Sequence, residues 1–170
     1  MTRLHVITAV TRPQNLGEIA ASLAAASVTA GTDVVWHWHF DLERNHVGGQ
    51  KPKNDALDTI TDGWVWILDD DTIVHSEILI AWKQHAQDGA TAVVFGQTRA
   101  DGRTLVSGLE RVRVGDIDIG QAILRRDVIG EHRLAESYEG DGVFLEAVLP
   151  NTSAIYDNRF LSFHNRLAAA

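Results

Sequence analysis

The chain has 170 residues, 45% of them hydrophobic, enough to bury the core of one domain spanning 1–170 without disulfides. A net charge of -8 excludes a protein built mainly to grip nucleic acid, because phosphate backbones are held by concentrated Lys and Arg; a local basic pocket for a small phosphate stays compatible. Cysteine is absent, no apolar run approaches the roughly 18 residues of a membrane span, and the sequence opens without the apolar stretch of a signal peptide, so a cytoplasmic protein is expected.

Residues 4–10 are apolar and β-branched and read as a strand, which Thr11-Arg12-Pro13 stops before opening a helix. That helix carries Leu16, Ile19, Ala20 and Leu23 at helical spacing and closes at Gly31. Residues 33–40 alternate, Trp36 and Trp38 on one face and His37 and His39 on the other, as in a second strand; the Trp-rich setting favours packing of these histidines over a metal pair. After Gly48-Gly49, residues 51–60 read as a helix with Ala56, Leu57 and Ile60 inward, and Gly63 precedes a third strand at 64–68. The order so far is β-α-β-α-β.

Asp69-Asp70-Asp71 follow that strand directly. Clustered carboxylates at the end of a buried strand repel one another unless a cation, or a ligand carrying one, joins them. Residues two apart can point the same way, so Asp69 and Asp71 are expected to share a site while Asp70 turns to neighbouring backbone or solvent. Ligands in open α/β sheets sit at the carboxyl ends of strands, where Thr11, Asp41 and the triplet all fall.

Ser76 is expected to cap a helix with Ile78, Leu79, Trp82 and Ala86 inward, ended by Gly89. A strand at 91–96 follows, and Asp101-Gly102 marks a hairpin, so the second half turns to antiparallel pairing and the sheet is mixed. Residues 121–124 read as a strand, 143–148 as a helix after Gly140-Asp141-Gly142 that Pro150 stops, and 152–156 and 159–163 as two short terminal segments. Asp141 reads either as a helix cap or as a functional carboxylate, His164 as a surface histidine or a ligand, and Lys53 and Arg12 as exposed cations or as binding residues.

The string Trp64-Val65-Trp66-Ile67-Leu68-Asp69-Asp70-Asp71-Thr72 resembles the DxD region of nucleotide-sugar glycosyltransferases of the GT-A fold, family-2-like. The opening "LHVITAVTRP", the segment "GQKPKNDAL", Asp141 in "YEGDGVFLEAV" and His164 in "FLSFHNRL" are similar to family segments in the same order. The resemblance implies a Rossmann-like three-layer α/β/α domain with a mixed, mostly parallel sheet. It implies Mn2+- or Mg2+-dependent transfer, of the inverting hexosyltransferase type, from a UDP- or GDP-sugar to an acceptor hydroxyl. Asp71, Asp69 and His164 would hold the metal, Asp71 foremost; Thr11, Arg12, Asp41, Lys53, Asn54, Asp69 and Asp70 would contact the donor; Asp141 would be the base. Two departures stand out. Gly140-Asp141 replaces the family's Glu-Asp, leaving Glu139 as a competing base, and the chain is short, so acceptor recognition is minimal or supplied by another subunit of a homo-oligomer. The alternatives are a haloacid dehalogenase-like phosphatase and a nucleotide-sugar-binding scaffold without transfer activity.

Overall fold

A computed structural model describes residues 3–44, 46–106 and 108–167. In chain order these form β1 (Leu4–Val10), α1 (Leu16–Ala30), β2 (Val34–Phe40), α2 (Gln50–Thr59), β3 (Trp64–Ile67), β4 (Ile73–Val74), α3 (Ile78–Gln87), β5 (Ala92–Arg99), β6 (Thr104–Leu105), β7 (Ala122–Arg125), α4 (Arg126–Ile129), α5 (Gly140–Val148) and β8 (Ala154–His164). The strands join in one sheet, order β2-β1-β3-β7-β5-β8-β4, with β6 on β5. β1 pairs in parallel with β2 and β3, and β5 with β8, while β7, β4 and β6 run antiparallel to their neighbours. β1, β2, β3, β5 and β8 therefore share one direction, and the sheet is mixed but mostly parallel.

Alternation along the strands builds a core on each face. On one side Trp64, Trp66 and Leu68 meet Ile19 and Leu23 of α1 and Ile78, Leu79 and Trp82 of α3. On the other, Ile7, Val65 and Ile67 meet Ala56 and Leu57 of α2 and Phe144, Leu145 and Val148 of α5. The result is three layers, helices on both faces of the sheet, as expected of a parallel sheet that must hide both faces. Fully buried Trp66 satisfies its indole N–H on the Gly120 carbonyl at 2.8 Å, so the ring adds area to the core without an orphaned donor.

Two local expectations are corrected. Ser76 is not the cap of α3: Glu77 holds that position, with no side-chain bond. The two terminal segments are one strand, β8, whose register on β5 slips from Phe95↔Asp157 to Gly96↔Phe160. The bulge absorbs Asn158 and Arg159, whose polar character made the strand look broken.

Candidate functional site

Because β1, β2 and β3 are parallel and in register, their carboxyl ends open on one edge, where a cleft of about 620 Å³ is lined by Thr11, Arg12, Gly48, Asp69, Asp71 and His164, among others. A comparably large concavity, about 690 Å³, contains Arg3, Asp33, Arg125 and Asp127 around the start of β3. Arg3 there is already paired with Asp33 and Arg125 with Asp127, and the concavity holds none of the aspartate triplet.

Asp70 is buried and its carboxylate is occupied within the protein: it accepts from the Thr11 and Arg12 backbone N–H groups, from Thr11 Oγ1 at 3.0 Å and from Arg12 Nη1 at 2.7 Å. It thereby clasps the end of β1 to the end of β3. Arg12 Nη1 also donates to Asp71 Oδ2 at 2.9 Å. Asp71 lies 3.7 Å from His164 Nδ1. Burial and the Asp69 charge push the Asp71 carboxyl above its ordinary range against the pull of His164 and Arg12.

Lys53 sits at the bottom of this arrangement, 2% exposed, with Nζ 2.7 Å from Asp69 Oδ1. Burial alone would lower its pKa, but the charges of Asp69 and Asp141 outweigh burial and hold the ammonium above its ordinary value. Burial likewise opposes ionisation of Asp69, and Lys53 overrides it, so Asp69 stays below its usual range. Gln50, one turn before Lys53 on the buried face of α2, donates through Nε2 to Asp141 Oδ1 at 3.1 Å. Burial pushes the Asp141 carboxyl up to about 6, with Lys53 pulling it down and Asp69 and Asp118 adding repulsion. Asp141 lies inside α5, after Glu139 in the cap position, and so is no helix cap.

The close approach of α2 to β1 depends on Gly49. Its φ is +64°, and a Cβ there would stand 2.4 Å from the Cβ of Ala9. Two sequence-selected residues fall behind the cleft wall. Asn54 donates to the Leu134 carbonyl at 2.9 Å and accepts from its N–H at 3.0 Å, bracing the segment before α5. Asp41, buried at the end of β2, accepts from His46 N–H at 3.3 Å and ties down the loop that carries His46 into the cleft lining. Lys53 is no exposed cation, and the His37 ring lies 2.9 Å, nitrogen to nitrogen, from His5.

Sequence reasoning missed Asp118. This residue caps the short 3-10 turn Ile119–Gln121 in a reciprocal capping box, accepting from Gly120 N–H at 2.9 Å while its own N–H donates to Gln121 Oε1 at 3.0 Å. Asp118-x-x-Gln121 was the available signal, though it announces a turn rather than a ligand. Asp69, Asp118 and His164 each offer one ligand atom within 4.8 Å of the others, the only such group of three among the described residues. Two carboxylates and an imidazole suit a hard divalent ion such as Mg2+ or Mn2+. The local charge agrees: Asp69, Asp70, Asp71, Asp118 and Asp141 stand against the cations Lys53 and Arg12, and the Asp71 and Asp141 carboxyls are raised by burial first and by their acidic neighbours after it.

The comparisons with known proteins bear on the fold. No protein-family model matches the chain, and no curated protein matches it in sequence. Among solved structures, TarS 1-349 of S. aureus in complex with UDP-GlcNAc superposes with a TM-score of 0.71 at 16% identity over 100% of this chain and 61% of that one. For another TarS structure the covered share is 36%. A putative glucose-1-phosphate thymidylyltransferase from Bacillus anthracis gives 0.61 at 11% identity, covering 98% and 91%; the T. maritima inositol-1-phosphate CTP transferase gives 0.57 at 11%, covering 99% and 91%. The chain has the GT-A-like, Rossmann-like fold shared by these glycosyltransferases and nucleotidyltransferases. It spans less than two thirds of the TarS chains. No helix of the described residues is long and apolar enough to cross a membrane.

Proposed function

We propose that the cleft binds a nucleoside diphosphate sugar and transfers its sugar to an acceptor hydroxyl with inversion, as a cytoplasmic hexosyltransferase. The observation that carries this reading is the convergence of Asp69, Asp118 and His164 within 4.8 Å at the same strand edge as Lys53 and Asp141. The UDP-GlcNAc complex of TarS, which shares the fold, supports the donor class. In this reading Asp69, Asp118 and His164 hold Mn2+ or Mg2+, with Asp71 beside them. The ion would supply charge stabilisation for the departing diphosphate.

The chain's own groups account for the remaining steps. Arg12 lines the cleft where diphosphate oxygens would gather negative charge, and enclosed Lys53 adds positive charge from beneath it through Asp69. Asp141 takes the proton of the acceptor hydroxyl as its oxygen bonds the anomeric carbon and the bond from that carbon to the diphosphate breaks. A carboxyl pushed to about 6 is ionised at neutral pH yet more basic than an ordinary aspartate, which suits that task. Glu139, exposed at the cap of α5, lacks this tuning environment and is the weaker candidate.

Thermal-shift titration of UDP- and GDP-sugars with and without manganese tests the reading. A nucleotide-sugar shift that requires manganese and vanishes in D69N and D118N is expected; the same shift in EDTA would overturn the ion's role. D141N should retain donor binding and lose transfer by roughly 10²-fold or more. Unchanged transfer would remove Asp141 from the mechanism, and donor binding with no transfer to any acceptor would favour a binding scaffold. Pyrophosphate release from a nucleoside triphosphate and a sugar phosphate would favour the nucleotidyl transfer of the other neighbours.

A further inference from the structure

β4, β5 and β8 frame a second concavity of about 440 Å³, next to the cleft but separate from it. The division runs along the chain at the end of β8: His164 and Asn165 line the cleft, whereas Phe163 and Arg166 line this second space. Its floor is apolar. Phe163 is the register partner of both Ile73 on β4 and Thr98 on β5, so the three side chains lie side by side on one face of the sheet. Its charged side chains are two arginines, Arg99 and Arg166, beside the hydroxyl residue Thr98.

Neither arginine has an ion-pair partner among the described residues, in a chain whose net charge is -8. The nearest acidic candidate, Asp101, feels the Arg99 charge but gives its carboxylate to Arg103, at 2.6 Å from Nε. The Nε–H of Arg99 is moreover buried with no acceptor at all. That nitrogen is enclosed by protein, so the Nη groups of Arg99 and the Arg166 guanidinium are what remain open to an incoming anion. Two cations over an aromatic and aliphatic floor define what that ligand must carry.

We infer that this concavity binds a small amphiphilic anion, a phosphate or carboxylate borne on a compact aliphatic or aromatic body, with Arg99 and Arg166 on the anion and Ile73 and Phe163 on the body. The volume lies within the range of small-molecule sites. The site stands whether or not the cleft transfers a sugar, since it shares none of the aspartates.

Calorimetric titration with phenyl phosphate, inorganic phosphate and phenol tests both halves of the recognition. Phenyl phosphate should bind at least about tenfold more tightly than either fragment, and R166Q, an exposed position whose replacement leaves the fold intact, should weaken it about tenfold at unchanged Tm. R99Q should do the same, while D69N and saturating UDP with manganese should leave the binding as it is. Equal affinity for phosphate and phenyl phosphate, unchanged binding in both arginine variants, or loss of binding in D69N would each overturn the inference. Hexyl phosphate in solution and vesicles containing phosphatidic acid then separate the two sources of such a ligand. Binding of the first alone marks a free metabolite, and vesicle recruitment abolished by R166Q marks a lipid headgroup.

Discussion

Lys53 and Asp141 put opposite electrostatic pressure on the same pocket. Lys53 is enclosed and is kept charged only by the carboxylates around it, so Lys53→Met leaves the half-buried Asp69 carboxylate without its cation. The expected cost is about 2–3 kcal/mol in denaturant unfolding, more than its apolar replacement returns. Asp141 behaves the other way. Its folded pKa of about 6 stands above the ordinary 3.8, so the folded chain keeps a proton that the unfolded chain releases between those values. Stability therefore falls as pH rises through that window, and the full penalty is present above 6. D141N should raise Tm at pH 7, reflecting up to about 3 kcal/mol of added stability, and leave it unchanged near pH 3. A pH-independent difference would assign the effect to packing. A residue whose removal stabilises the protein while abolishing transfer is one retained for function.

At the scale of elements, the site depends on how closely α2 and the end of β1 approach. Gly49→Ala adds a methyl 2.4 Å from Ala9 Cβ at a backbone φ of +64°, and should cost about 3 kcal/mol, read as a lowered denaturant midpoint. Asn54→Ala removes both bonds to Leu134 and should cost about 1–2 kcal/mol with little change in donor affinity, because Asn54 does not line the cleft. Much of this layer was legible beforehand. Continuous apolar runs marked β1 and β3, alternation marked β2, Asp101-Gly102 marked the β5–β6 hairpin, and Thr11 and the triplet fell at strand ends as expected. Alternation set Asp70 apart from Asp69 and Asp71 as the one that turns to backbone, but local pattern could not name the partners. Asp70 went to Thr11 and Arg12, and Asn54 to Leu134, through contacts more than fifty residues away in sequence. Asp118 escaped for the same reason: its neighbours identify a turn, and only pairing of β7 between β3 and β5 carries that turn to His164.

At the scale of the whole molecule, a sheet covered by α1 and α3 on one face and by α2 and α5 on the other leaves its edges as the exposed boundary. β2 forms one of them and leaves Trp38 and Phe40 exposed, the rings meeting edge to face at 5.3 Å. Their replacement by Lys should change Tm little and reduce any tendency to self-associate, measured by light scattering, because an apolar open edge is a template for strand addition. An unchanged scattering profile in a protein that does self-associate would place the contact elsewhere.

The backbone around the triplet also reaches β8 and the residues after it. Asn15 Nδ2 bonds the carbonyls of Asp70 and, at 3.4 Å, Leu167, and Leu167 N–H donates to the Asp71 carbonyl at 3.1 Å. The cleft is consequently complete only once β8 has docked. With β1, β2 and β3 alone assembled, Asn15, Thr11 and Arg12 would already hold Asp70, but the imidazole and the Leu167 bond to Asp71 would be missing until β8 docks beside β5. Manganese-dependent donor binding in a refolding experiment should appear only in the last phase, after the far-ultraviolet signal has largely recovered, so the ligand would time the closing of the sheet.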